Sequence, residues 1–332
     1  MRTPRVTVLM SVFNGPACLA DAVGSILGQD FTDFEFLIID DGSTYTFDDV
    51  IDFFNDDRIV VIRQENMGLT RSLNKGLLLA RGAYVARMDS DDISAPGRLS
   101  AQVGRLDAHD RLDLVGCFFN VIDGRGTVVE RRRPFVDPIY RLWRLQFHNN
   151  YGHGSVMMRK ESVIDVGMYD ESFRYAQDFD LWSRLSRKDN TEIIPDALYS
   201  YRMVNSSEQS SVRNYDHQLA NAVVISNRSL KACNPNLSDS DCSEVRALYW
   251  EFEFAGVSAE GLSRLPATLY GFCERYGIRS AEWTDLLERV DRDAREGMVR
   301  SERISEVDRA KLRSRLVKLR AGAADTSHEE QA

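Results

Sequence analysis

Four consecutive side chains could do chemistry: Asp89, Ser90, Asp91 and Asp92, which end the apolar run YVARM. Carboxylates two residues apart at the end of a strand can turn toward one small volume. Crowding them there is unfavourable unless a cation compensates the charge. Hard divalent ions such as Mg2+ and Mn2+ suit this arrangement, taking one or two carboxylates and completing the shell with phosphate oxygens. The other reading of the same residues is a solvated turn with a helix cap. Two more polar clusters end apolar runs in the same way, Ser11 to Asn14 and Asp40 to Ser43.

Those clusters need a frame. VTVLMSVFNG is a β-rich run ended by the turn signal Asn14-Gly15, and Pro16 suits the first turn of a helix that aligns Leu19, Val23, Ile26 and Leu27. FEFLIIDDGS reads as a second strand turning at Asp41-Gly42, DDVIDFFND as a short helix and RIVVIRQ as a third strand. TRSLNKGLLLARG reads as a helix stopped by Gly82, and AYVARMD as the fourth strand. Strands alternating with helical segments predict βαβ units and a mainly parallel sheet, in which ligands bind outside the carboxyl ends of the strands. The three clusters are therefore expected along one edge.

Past residue 97 the pattern loosens. PGRLSAQVGRLDAH and DPIYRLWRLQFHN read as helices, LDLVGCFFNVID and GRGTVVERRR as a hairpin, and YGHGSVMMRK as the approach to a strand. DFDLWSRLSRK is a helix packing through Leu181, Trp182 and Leu185, and TEIIPDALYSYRM two short strands. Trp143 and Trp182 are core candidates, and Arg131 to Arg133 either meet phosphates or lie exposed. From residue 214 three helices are expected, NYDHQLANAVVISNRSLKA, DCSEVRALYWEFEFAG and GLSRLPATLYGFCERYG, and then a charged segment at 281–321. RAKLRSRLVKLR, residues 309–320, carries six basic residues and no acid. Such a helix either makes peripheral contact with an anionic membrane or packs on a partner subunit or on the protein itself.

With 332 residues, 43% of them apolar, the chain can bury a sizeable core, and its formal charge of −9 argues against a nucleic-acid partner. Five scattered cysteines without metal-site spacing read as reduced thiols in a cytosolic protein. The opening apolar run falls short of the roughly 7–15 residues of a signal peptide. No window approaches the ~20 apolar residues of a membrane span. The expected location is the cytoplasm, at most the inner face of a membrane.

VLMSVFNG, FLIIDDGST, ENMGLTRSLNKGLLLARGAYVARMDSDDIS, HGSVMMRK and QDFDLWSRL follow one another in that order. Over residues 4–203 the set resembles the family 2 glycosyltransferases of the GT-A fold. The resemblance implies a Rossmann-like α/β fold, a mainly parallel sheet flanked by helices, here with a C-terminal helical appendage. It implies an inverting enzyme that takes a nucleotide-diphosphate sugar, a UDP-sugar favoured, with a divalent metal, Mn2+ or Mg2+. The acceptor would be a glycan or lipid-linked hydroxyl. The division it suggests is 1–213 for the GT-A domain (1–97 nucleotide-binding, 98–213 acceptor-binding), 214–321 for the helical region and 322–332 for a disordered tail. A homo-oligomer is compatible with this.

Carried over residue by residue, the resemblance gives Asp41 the nucleotide base and places Ser11, Phe13 and Asn14 beside the nucleotide. Asp91 becomes the direct metal ligand, with Asp89 toward the ribose or the metal's water shell, and Asp92 opens the following turn. Arg71 and Lys75 either face the nucleotide or form a solvated helix face. Asp178 becomes the general base, although as a favoured capping residue it also suits the start of its helix. Asp180 is the weaker competitor, inside the first helical turn. The chain departs from the pattern at Phe13, where Tyr is common, at Gln177, where Glu is usual, and in YRMVN, where Val204 and Asn205 stand near an expected His. Gln177 and His153 are acceptor-side candidates, His153 equally a core or loop histidine. No QxxRW stretch typical of processive members occurs, which favours adding one or a few sugars. The alternatives are a catalytically silent GT-A domain acting as a scaffold and a nucleotidyltransferase, which would open with a Gly-rich loop that this chain lacks.

Overall fold

The computed structural model describes residues 3–15, 17–203, 214–249 and 259–300. Strand and helix alternate first as the hydrophobic periodicity demands: β1 (Val6–Val12), α1 (Leu19–Leu27), β2 (Phe34–Asp40), α2 (Asp48–Phe54), β3 (Ile59–Arg63), α3 (Leu69–Leu79) and β4 (Tyr84–Met88). β2 and β4 are buried at every position, as strands covered on both faces must be. β1 lies parallel between β2 and β4, with Val12 opposite Asp40 and Met10 opposite Met88. That register sets the carboxyl ends side by side. Ser11, Asp41 and Asp89 therefore share one edge, as the alternating pattern predicts.

The chain continues with β5 (Ile93–Ser94), α4 (Arg98–Ala108), β6 (Leu114–Ile122), β7 (Val128–Arg132), α5 (Pro138–Arg144), β8 (Met157–Arg159), α6 (Lys160–Asp165), α7 (Gln177–Leu185) and β9 (Thr191–Arg202). The sheet order is β3-β2-β1-β4-β8-β6-β9-β5, with β7 beside β6. The parallel expectation describes β1 to β4. Beyond β4 the sheet is mixed, since β8 runs antiparallel to both β4 and β6. TEIIPDALYSYR forms one strand, not two: the pairing with β6 jumps from Ile194 opposite Cys117 to Ala197 opposite Phe118. Pro195 lacks an N–H to donate, and the irregularity takes it out of the ladder.

One core lies against the sheet, where Val8 and Met10 of β1 and Ala86 and Met88 of β4 meet Val23 and Ile26 of α1 and Leu99 and Leu106 of α4. Fully burying a Val, Leu, Ile or Met side chain contributes about 1.5–3 kcal/mol. Gly82 is not the stop of α3, which ends three residues earlier. A Cβ on Gly82 would lie 2.4 Å from Thr7 N, so glycine is needed for the chain to pass β1.

The chain divides into two units, residues 3–136 with 150–219, and residues 137–149 with the C-terminal helices. Aromatic packing groups residues 137–149 with the C-terminal helices. Trp143 of α5 is fully buried and donates from Nε1 to Tyr249 Oη at 2.9 Å, and Phe147 stacks on Tyr249 at 4.0 Å between centroids. The C-terminal helices are α8 (Tyr215–Cys233), whose first turn falls in the first unit, α9 (Asp239–Arg246), α10 (Ala259–Tyr276) and α11 (Ser280–Arg300). The expected charged segment thus begins as a helix. Val204 and Asn205, the basic stretch 309–320 and the tail 322–332 lie outside the described residues. No helix of the described residues is long and apolar enough to cross a membrane.

Candidate functional site

At the end of β1 the backbone turns through Asn14 in the left-handed region, φ 50°. Asn14 N donates to Ser43 Oγ at 2.9 Å, and Asn14 Oδ1 accepts from Thr44 N at 2.8 Å. Asn14 therefore ties β1 to the Asp40–Ser43 turn and leaves the Phe13 ring 51% exposed beside it. An exposed ring at a strand end offers a stacking face. Asp41 is buried behind this edge, and its carboxylate accepts from Gln64 Nε2 (2.7 Å), Met67 N (2.8 Å) and Gly68 N (2.9 Å). A carboxylate offers about four lone-pair sites. Three are filled by the loop before α3, so Asp41 fixes where that helix starts.

The acidic run meets cations of its own chain. Arg87, buried in β4, donates to Asp89 Oδ1 and to the carbonyl of Met88. Asp92 is fully buried and accepts from Tyr199 Oη at 2.6 Å and Arg202 N at 2.7 Å, which makes it a tie to β9. Arg202 Nε donates to the Asp91 carbonyl at 2.8 Å. Buried Arg98 donates to the Arg87 carbonyl at 3.0 Å and sits over the Tyr199 ring. Arg87 escaped the sequence reading, although an arginine inside a strand of otherwise apolar residues, two positions before an aspartate, was a signal for it.

Asp91 is half-buried, and burial, then the charge of Asp89, pushes its carboxyl up to about 6. A partly open, poorly compensated carboxylate two residues from a second one is a donor set that fits a hard divalent ion. Among the described residues no group of three His, Cys, Asp or Glu side chains could hold a metal. An ion here would complete its shell from phosphate and water. With the folded pKa above the unfolded value, the contribution of Asp91 to stability is fully present below about 3.9 and is lost as pH rises through about 6. In chelator, Asp91→Asn should therefore unfold at higher urea than the wild type at pH 8, and the difference should shrink by pH 5. An equal difference at both pH values would refute this account.

α7 starts at Gln177, which is buried. Its N-cap is Ala176, held at φ 57°, so Asp178 is not the cap. Asp178 is half-buried in the first turn, with Oδ1 accepting from Phe179 N at 2.8 Å. Asp180 is fully buried and engaged by Arg184, 2.6 Å from Nη2 and 2.9 Å from Nε. That pairing consumes the competitor. His153 Nε2 pairs with Tyr169 Oη at 2.8 Å, and the ring packs edge-on to fully buried Trp182. Burial, with Arg87 second, drives His153 down to about 3, so it is neutral near pH 7. Burial raises the Tyr169 phenol, and Asp178 and Asp89 add to that, so both acids lie within its electrostatic reach.

Arg71 and Arg131 to Arg133 lie at the surface. Arg71 is exposed and pairs with exposed Glu171 at 3.0 Å. Arg131 to Arg133 are exposed, Arg132 pairing with Glu130.

The model of the family described as Glycosyl transferase family 2 matches residues 7–166. An uncharacterised glycosyltransferase of Methanocaldococcus jannaschii is 31% identical over 211 residues, 62% of this chain and 73% of that protein. The O-antigen biosynthesis glycosyltransferase WbnJ of Escherichia coli is 29% identical over 220 residues, 63% of this chain and 84% of that one. Among solved structures, S. aureus TarS 1-349 in complex with UDP-GlcNAc has a similar fold. Its TM-score is 0.57 at 15% identity, over 98% of this chain and 92% of that one.

Proposed function

The chain belongs to glycosyltransferase family 2, and on that premise we propose that it moves a sugar from a UDP-sugar to a hydroxyl of a glycan or lipid-linked acceptor, with inversion. The observation that carries this reading is the pairing of two edges. Aligned strand ends bring the Asp41 turn and Asp89–Asp91 together, and α7 offers Asp178 while Asp180 is taken by Arg184. The UDP-GlcNAc held by the structurally similar TarS supports a UDP-sugar donor, and the O-antigen role in the name of the E. coli relative supports surface polysaccharide synthesis.

In this mechanism the base of the donor stacks on Phe13 and reaches the remaining acceptor position of Asp41. Asp178 takes the proton of the acceptor hydroxyl as its oxygen attacks the anomeric carbon. The bond to the diphosphate breaks on the opposite face, which inverts the configuration. The carboxylate need only accept the proton as the hydroxyl becomes acidic in the transition state. Asp91 with Asp89 would hold a divalent ion, which when bound supplies charge stabilisation on the departing diphosphate.

The test is binding and hydrolysis across UDP-, GDP- and dTDP-sugars, with Mn2+ or Mg2+ and with chelator. Metal-dependent binding of UDP-sugars, lost in chelator, is the expected outcome. A protein that binds no donor even with metal would be a GT-A scaffold instead.

A further inference from the structure

We propose that α3 is a strut between nucleotide recognition and the base, with Asn74 and Thr70 as positioning residues for Asp178. The proposal rests on Asp178 acting as the base.

Asn74 is buried and holds both main-chain groups of Tyr169, donating from Nδ2 to Tyr169 O at 2.8 Å and accepting from Tyr169 N at 3.0 Å. One turn earlier, buried Thr70 donates from Oγ1 to Phe173 O at 3.0 Å. Three bonds from one helix face thus fasten the segment that leads, three residues past Phe173, to Ala176 and the first turn of α7. This segment does not hold itself in place by local preference. Met168 and Ala176 both sit in the left-handed region, at φ 56° and 57°, where non-glycine residues persist only when the surroundings over-determine them. The clamp of Asn74 and Thr70 is part of that surrounding.

The opposite end of the strut is set by Asp41. Its carboxylate holds Met67 N and Gly68 N, and Gly68 is the N-cap of α3. From Gly68 to Asn74 the helix spans about 9 Å at 1.5 Å per residue. A helix of that length moves as one body. A ligand that engages Asp41 therefore acts on the same rigid element that holds Tyr169 and Phe173. One helix thus carries the loop that Asp41 holds at its start and the clamp on the base segment one to two turns later. Arg71, which pairs with Glu171 on the outside of this contact, adds an exposed ion pair of small weight.

The experiment compares wild type with Asn74→Ala and, as a milder change that keeps side-chain shape, Thr70→Val. Hydrogen exchange needs no turnover: faster exchange is expected over residues 167–178, with β1 and β4 unchanged. In turnover, kcat should fall about tenfold to a hundredfold, the scale of a small misplacement of a catalytic group. The affinity for UDP should stay within about twofold. In an Asp178→Asn background the same substitutions should cost almost nothing further, because no base remains to misplace. Wild-type exchange rates over 167–178 in both variants, or an equal fractional loss of turnover in both backgrounds, would overturn the proposal. A wild type that binds and turns over no donor would fail differently, removing the base role of Asp178 and the proposal with it.

Discussion

Asp178→Asn is expected to lower turnover roughly a thousandfold, within the usual range for loss of a general base, while UDP affinity changes by less than about twofold. The substitution is nearly isosteric. Its side-chain oxygen can still accept from Phe179 N, the bond that Asp178 Oδ1 makes at 2.8 Å, so α7 starts as before. What disappears is the proton acceptor. The urea midpoint should match that of the wild type, which separates lost chemistry from lost fold. Initial rates at saturating donor, with UDP binding by calorimetry, provide the check. A drop of less than tenfold would mean that another group takes the proton, and the base assignment would fail.

Arg184→Met should destabilise the protein by about 3–5 kcal/mol, the range for removing one partner of a buried ion pair. Asp180 has no exposure and depends on two guanidinium nitrogens of Arg184. The same guanidinium donates to the carbonyls of Val166 and Met168, so it also staples the turn before the base segment. The double substitution Asp180→Leu with Arg184→Met should recover much of the loss, because a buried pair replaced by apolar groups of similar volume is often close to neutral. Urea denaturation of the three variants measures this. A single Arg184→Met variant within 1 kcal/mol of wild type, an order below which surface pairs fall, would show that Asp180 is solvated or otherwise compensated.

Some of the site was legible before any coordinates. The ion pair of Asp180 with Arg184 was legible from spacing alone, since the two are four residues apart on a helix and such residues face each other. Other relations were out of reach of any window. Asp92 finds Tyr199 at a separation of 107 residues, and Asn74 finds Tyr169 at 95. The second of these decides what α3 does, and the first turns an expected turn-opening residue into a tie across the sheet. The same holds for residues 137–149, whose helix was expected but whose place beside Tyr249 was not.

The sequence by itself determined the strands and helices of the first half and the gathering of Ser11, Asp41 and Asp89 at one edge. Those follow from periodicity and from turn chemistry, which act over a few residues. Only the tertiary structure decided which acids are held by Arg87, Tyr199, Arg202 or Arg184. A side chain's charge and reach are written in its residue type, but its partners are set by strand register and helix packing, which bring distant parts of the chain together.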